Sequence, residues 1–217
     1  MKITELGTRN VVFTFELDDW DLNLHLIKGD LYNYIIDTGL GSNSVKPILE
    51  YIKDDHKPIV VINSHFHWDH IWGNHCFEDS IIISSKKCRD IIIDRWDEMM
   101  GRCGNYVDGE VEKKLPTLVF EDELYFPDDD ILLFYTPGHT IDGISVYDRK
   151  DKVLNAGDNI GDTMEELRPS QETSDEVFLE TINKYKALDV ASCVSGHNQI
   201  LGSEVFSEIE RLIKQEG

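Results

Sequence analysis

Six consecutive residues, His65-Phe66-His67-Trp68-Asp69-His70, place three imidazoles and one carboxylate in a single short stretch. Imidazole and carboxylate are the donors that a borderline divalent cation such as zinc accepts, and no solvated loop needs them at this density. The fold therefore has to converge on this stretch. The run before it, residues 58–64, contains Ile59, Val60, Val61 and Ile62 and reads as a strand buried on both faces. If the chain stays extended beyond it, residues 65, 67 and 69 project to one side with period two, and His70 joins them only after a turn. Such a turn presents Asp69 and His70 to a second ion while His65 and His67 hold the first. The spacing points to two metals.

Three more donors repeat one pattern. Gly138-His139 follows the apolar run 131–135, Gly157-Asp158 follows 153–156, and Gly196-His197 follows 190–194. In each case a glycine after an apolar strand lets the backbone turn sharply and present one ligand where strand ends converge. His25, His56 and His75 stand outside this set. His25 alternates within a strand and reads as structural, His56 as exposed, and His75 is near enough to the metal stretch to support a ligand.

Around these donors the chain alternates strands and helices. Apolar runs at 11–17, 22–27 and 31–36, separated by Asp18-Asp19 and Lys28-Gly29-Asp30, predict an antiparallel meander. It ends in Asp37-Thr38-Gly39-Leu40-Gly41-Ser42, where Asp37 either caps the turn or supports the metal ligands. A helix is expected over 42–56, with Ser42 or Ser44 as N-cap and Pro47 in its opening turn. A strand at 81–83 precedes a helix from 85 to about 100, broken by Gly101-Arg102-Cys103-Gly104.

Residues 105–117 have no regular pattern. With Trp96, Met99, Met100 and Tyr106 they read either as a lid or substrate wall or as a satellite core. Strands follow at 118–120, 123–126, 131–135, 144–147 and 153–155, with Asp128-Asp129-Asp130 as a turn. A helix over 174–187 with Ser174 as N-cap, a strand over 190–194 and a helix over 203–215 complete the series. Specificity is expected in the loops after Asp18, between 96 and 117, and over 160–170.

The 42 acidic against 21 basic residues give a net charge of -21, a field that repels phosphate backbones and anionic lipid surfaces. Nucleic acid and membranes are therefore not expected partners, and a small molecule is. The amino terminus carries no signal-like apolar core, and no run approaches the roughly 20 apolar residues of a spanning helix, so a cytoplasmic protein is expected. Cys76, Cys88, Cys103 and Cys193 form no Cys-x-x-Cys pair and read as reduced thiols, and Cys193 is not counted as a ligand. No linker divides the chain, so 1–217 is expected to be one domain. Composition leaves the oligomeric state open.

The order His-x-His-x-Asp-His, Gly-His, Gly-Asp, Gly-His, preceded by Asp-Thr-Gly at 37–39, resembles the metallo-β-lactamase-fold superfamily of metallohydrolases. That resemblance runs from about Asp37 to His197. It implies an α+β fold, the αβ/βα four-layer sandwich of two mixed sheets flanked by helices. It also implies His65, His67 and His139 as ligands of one ion, Asp69, His70 and His197 as ligands of a second, and Asp158 as the bridging carboxylate. True β-lactamases of the superfamily generally lack that bridging aspartate, so the chain is more similar to the glyoxalase II, lactonase and phosphodiesterase branches. It shows no basic cluster like the glutathione contacts of glyoxalase II proper. Di-iron oxygen-reducing relatives carry glutamate where this chain has His67.

The implied cofactors are two divalent ions, zinc first and iron or manganese next. Sharing Asp158, they would share a water whose pKa falls toward roughly 7, with Asp69 orienting the resulting hydroxide. The function that follows is hydrolysis of a small ester, thioester, lactone or amide. An iron-dependent redox enzyme of the same fold, similar to persulfide dioxygenases, a small-phosphodiester hydrolase, and a non-catalytic metal-binding or partner-binding module are the alternatives.

Overall fold

The computed structural model describes residues 1–216. Four antiparallel strands open the chain: β1 (Lys2–Leu6), β2 (Asn10–Glu16), β3 (Asp21–Lys28) and β4 (Asn33–Ile36). Parallel strands need long crossovers, and from β4 onward the chain supplies them. Helix α1 (Ser42–Tyr51) carries it to β5 (Ile59–Ile62), the single turn α2 (Trp68–Ile71) lies on the way to β6 (Ile81–Ser85), and α3 (Lys86–Cys103) leads to β7 (Leu118–Phe120). The result is a seven-stranded mixed sheet in the order β1 to β7.

The second sheet follows in the order β12-β11-β10-β9-β8. Its strands are β8 (Glu123–Phe126), β9 (Ile131–Tyr135), β10 (Ile144–Asp148), β11 (Val153–Asn155) and β12 (Ser192–Val194). Only the pair β11 and β12 is parallel, joined through α4 (Asp175–Lys186), and α5 (Glu204–Glu216) ends the described chain.

Side-chain alternation sets the layers. Tyr34 and Ile36 of β4 and Val60 and Ile62 of β5 face Ile131, Leu133, Ile144 and Val146 of the second sheet, whereas Ile35 and Val61 point the other way, under Val45 and Ile48 of α1. Leu132, Phe134 and Leu154 on the outer face of the second sheet pack against Phe178 and Ile182 of α4 and Phe206 and Ile209 of α5. Each such side chain removed from water contributes about 2 kcal/mol. These faces stack as helix, sheet, sheet, helix, the sandwich that the resemblance implies.

At one end the space between the sheets is polar. Arg9 reaches Asp148 with two nitrogens and donates from Nη2 to the Asp129 carbonyl at 2.7 Å, and Asn10 Nδ2 donates to Asp148 at 2.7 Å. His25 is buried beside them, 3.0 Å from Asn10 Oδ1, and burial pushes its pKa down to about 4, so it is a neutral structural histidine as expected.

Several local expectations fail for tertiary reasons. Helix α1 stops at Tyr51, and neither serine caps it, because Ser42 Oγ accepts from Glu110 N and Ser44 Oγ from Leu40 N. Helix α3 runs through Gly101 to Cys103, since Trp96 and Met99 keep its face packed, and Ser85 caps its start. Ser174 occupies the N-cap position of α4 without a side-chain capping bond, and β12 begins only at Ser192.

Residues 107–117 are strapped down rather than loose. Asp108 N donates to Leu40 O, Ser42 N to Glu110 O and Thr117 N to Ile82 O, while Val107, Val111 and Leu115 pack on the α3 cluster. The satellite-core reading therefore holds there, while Tyr106 stacks on Trp68 of α2. Among the described residues no helix is long and apolar enough to cross a membrane.

Candidate metal centre

All seven predicted donors meet at one rim of the sandwich. His65 and His67 leave the end of β5, Asp69 and His70 lie on α2, His139 on the loop after β9, Asp158 after β11 and His197 after β12. Among the described residues they form two clusters, His65, His67, His139 and Asp158 in one and Asp69, His70 and His197 in the other, with donor atoms in each within 4.8 Å of one another. The turn comes one residue earlier than simple extension predicts. Because α2 begins at Trp68, Asp69 is already helical and faces the second cluster with His70.

The glycines before the donors act in two ways. Gly157 adopts a φ of 54°, where a side chain is strained, and so redirects the chain into Asp158. Gly138 and Gly196 have ordinary backbone angles and are needed for space instead. A Cβ on Gly138 would strike Asn159 Oδ1, and one on Gly196 would land on Asp158 Oδ1.

Hydrogen bonds on the outer side of four rings aim the inner nitrogens. His65 Nδ1 donates to Ser64 Oγ (3.0 Å), His70 Nδ1 to Asp37 Oδ2 (2.8 Å), His139 Nδ1 to Ser170 O (2.7 Å) and His197 Nδ1 to Asp21 O (2.8 Å). A neutral ring that gives its one proton outward, as His65 does, offers a bare lone pair inward, and His70 and His197 would do so once a cation displaced their inner protons. His65 Nε2 and His139 Nε2 lie 3.0 and 3.1 Å from His67 Nδ1. Asp158 Oδ2 sits between the clusters, 3.2 Å from both His70 Nε2 and His197 Nε2 and 3.5 Å from His65 Nε2. Asp69 Oδ2 is 3.3 Å from His197 Nε2.

Asp37 settles into the supporting role. At φ 63° it accepts from Ser64 N and Ser64 Oγ, both at 2.7 Å, as well as from His70. A single carboxylate thereby orients a donor of each cluster.

The charges divide by cluster. Burial, reinforced by the neighbouring imidazoles, holds His65 well below the ordinary histidine value and His67 at about 4, so both are neutral donors. Burial also disfavours charge on His70 and His197, but Asp158 and the other carboxylates outweigh it and raise both. Asp69 and Asp158 are lowered because those imidazoles outweigh their own burial. Cation binding at the second cluster therefore displaces protons.

The donor set fits a cation. A single proton on His67 Nδ1 can satisfy only one of the His65 and His139 nitrogens that face it, so at least one lone pair there is left for a cation. Among the described residues, His70 Nε2 closes no well-formed hydrogen bond although Asp158 Oδ2 lies 3.2 Å away, and buried Asp158 Oδ1 closes none either. Neutral imidazole with carboxylate suits zinc and the divalent metals near it.

Three supports were not legible as such in the sequence: Ser64, Ser170 and Trp20. Ser64 has one weak signal, its place directly before a ligand at a strand end. Trp20, in the turn between β2 and β3, sets its ring edge-on to His197 at 5.2 Å and lies 6.1 Å from Trp68, which stacks on Tyr106 at 5.0 Å. These aromatics wall one side of the centre, and two of the three loops expected to carry specificity contribute to that wall. His75 does not support a ligand, since its ring nitrogens go to Trp72 O and Cys76 Sγ. Cys193 lies in the core under α4 and α5.

Residues 18–197 match the family profile described as metallo-beta-lactamase superfamily. Acyl-coenzyme A thioesterase MBLAC2 of Gallus gallus is 23% identical over 208 residues, covering 84% of this chain and 74% of that protein. Its Homo sapiens counterpart is 24% identical over 164 residues, covering 64% and 58%. A probable metallo-hydrolase of Methanocaldococcus jannaschii is 29% identical over 147 residues, covering 67% and 59%, so for these last two the match spans less than two thirds of the relative. Among solved structures, DIM-1 metallo-beta-lactamase superposes with a TM-score of 0.80 at 16% identity, covering 100% of this chain and 98% of that one. The metallo-beta-lactamase from Pontibacter korlensis gives 0.79 at 17% identity, covering 98% of each.

Proposed function

The chain belongs to the metallo-beta-lactamase superfamily, and from that premise we propose that it is a dinuclear metal-dependent hydrolase of a small ester, thioester, lactone or amide. The observation that carries this reading is the convergence of inward lone pairs from both sheets on two adjacent pockets that share Asp158. His65, His67 and His139 would hold one ion and Asp69, His70 and His197 the other, with Asp158 common to both and zinc the first candidate metal. When bound, divalent ions at such a pair lower the pKa of water toward roughly 7 and polarise the scissile carbonyl.

The chain's own groups do the rest. Asp69 would stay ionised beside a bound cation and accept a hydrogen bond from the attacking water, which aims its oxygen at the carbonyl. Asp37 and Ser64 hold His65 and His70 in the tautomers that bind metal. Trp20 and Trp68 exclude bulk water from one flank and offer an apolar surface to the acyl group. Thioesters are the first class to test, because two of the relatives carry the name acyl-coenzyme A thioesterase.

The test is elemental analysis of the purified protein together with a hydrolysis panel of ester, thioester, lactone, lactam and phosphodiester substrates in zinc, manganese and iron. About two metal equivalents are expected, with turnover of an acyl substrate that is lost in Asp158→Ala and His67→Ala. Full turnover in a chelated, metal-free sample overturns the proposal, and oxygen consumption with iron bound would favour the redox alternative instead.

A further inference from the structure

Beside the first cluster lies a cation in an unusual setting. Arg95 lies on the solvent side of α3, between the buried Ile92 and Trp96, and its guanidinium carbon stands 5.4 Å over the Phe66 ring. Phe66 in turn lies against the His67 imidazole, with centroids 4.5 Å apart. The positive group is thus one aromatic ring away from a metal-facing donor.

Its partner is loosely held. The guanidinium meets Glu172 at 4.0 Å, the outer limit of an ion pair, and the two side chains are 51% and 37% exposed. Such a pair is worth little in water and yields readily to a better-placed anion. Glu172 has other work: its backbone N–H donates to His139 O at 2.9 Å, and its Oε2 accepts from Ile141 N at 3.3 Å. The arginine is therefore stacked in place by Phe66 while its hydrogen-bonding edge stays available. Asp94, Asp97 and Glu98 beside it on α3 make the surroundings acidic. A substrate anion gains there only by direct contact with this fork, which recognises carboxylate and phosphate geometry.

Resting on the hydrolase reading above, we propose that Arg95 is a specificity-determining residue that selects acyl substrates bearing a second anion, a carboxylate or phosphate, a few bonds from the scissile carbonyl.

Equilibrium binding to the zinc-loaded protein tests this without turnover. Succinate is compared with butyrate, and 3-phosphonopropionate with propionate, by calorimetry; each pair shares the carboxylate that engages the metals and differs in the distal group. Wild type should bind the doubly anionic member about tenfold more tightly, the worth of one charge-assisted hydrogen bond. Arg95→Ala should erase that ratio while leaving butyrate and propionate unchanged, Arg95→Lys should restore part of it, and Glu172→Gln should enlarge it. A preference confined to the phosphonate pair or to the succinate pair identifies which anion the site takes. A ratio near one in wild type, or one untouched in Arg95→Ala, overturns the proposal. A kinetic arm separates it from the hydrolase reading. Absence of turnover by wild type across the whole ester, thioester, lactone and amide panel defeats hydrolysis, whereas an intact kcat with an unaltered KM ratio between neutral and hemisuccinate substrates in Arg95→Ala defeats only the role of Arg95.

Discussion

Asp142 offers a sharp test of the electrostatics around the His139 loop. Its carboxylate is fully buried where that loop meets the start of α3, and Ser85, the cap of α3, donates to its backbone carbonyl at 2.6 Å. No cation faces it. Thr140 and Cys88 are its side-chain neighbours, yet neither carboxylate oxygen closes a well-formed hydrogen bond. Burial therefore pushes its pKa up from 3.8 to about 6. Between those values the folded chain holds a proton that the unfolded chain has released, so stability falls as pH rises through this window and stays lowered above it. At 1.36 kcal/mol per pH unit the full loss is about 3 kcal/mol.

Asp142→Asn keeps the shape and removes the charge. Urea unfolding of metal-loaded wild type and variant from about pH 4 to pH 8 should show their stabilities diverging by about 3 kcal/mol, with the variant gaining as pH rises. Most of that divergence should be complete just above pH 6. Parallel stability profiles would show that the carboxylate is solvated or paired in solution and would refute the reasoning.

Other perturbations probe the same architecture. Ser64→Ala removes the link between Asp37 and His65 and should weaken metal affinity about 10- to 100-fold in chelator competition, with every ligand still present. Gly196→Ala drives a methyl group onto Asp158 Oδ1 and against His70, so the protein should purify with less than its full metal content while its circular dichroism is retained. Arg9→Ala leaves Asp148 buried and uncompensated between the sheets and should cost about 3–5 kcal/mol in urea unfolding; a cost under about 1 kcal/mol would mean that water reaches Asp148.

The donors were legible because metal chemistry tolerates few residue types and because four of them fall in one short stretch after an apolar strand while the other three each sit behind a glycine at a strand end. Local rules went wrong where distant chain decided the outcome. Ser42 and Ser44 have the chemistry of helix caps, but the strap at 108–110 and the turn at Leu40 claim their hydroxyls. Gly101 is a helix breaker by propensity alone, and the packing of Trp96 and Met99 on Ile92 and Cys88 carries α3 past it. Asp37 was readable as a turn residue or as a support, and only the approach of Ser64 and His70 decides between them. Arg95 and Trp20 carry no motif at all; their relevance is created by what folds against them.

The centre also joins the two sheets. Its donors come from the ends of β5, β9, β11 and β12, and Asn23 of β3 further ties the His197 loop to the first sheet through Ser195 O at 3.0 Å and Asn198 O at 2.7 Å. An ion seated there would act as a removable staple between chain segments more than a hundred residues apart. Metal-starved protein should then lose more than its reactivity: its open rim should exchange amide hydrogens faster and become the first place a protease cuts, so the metal history of a preparation would govern how long the enzyme survives as well as how fast it works.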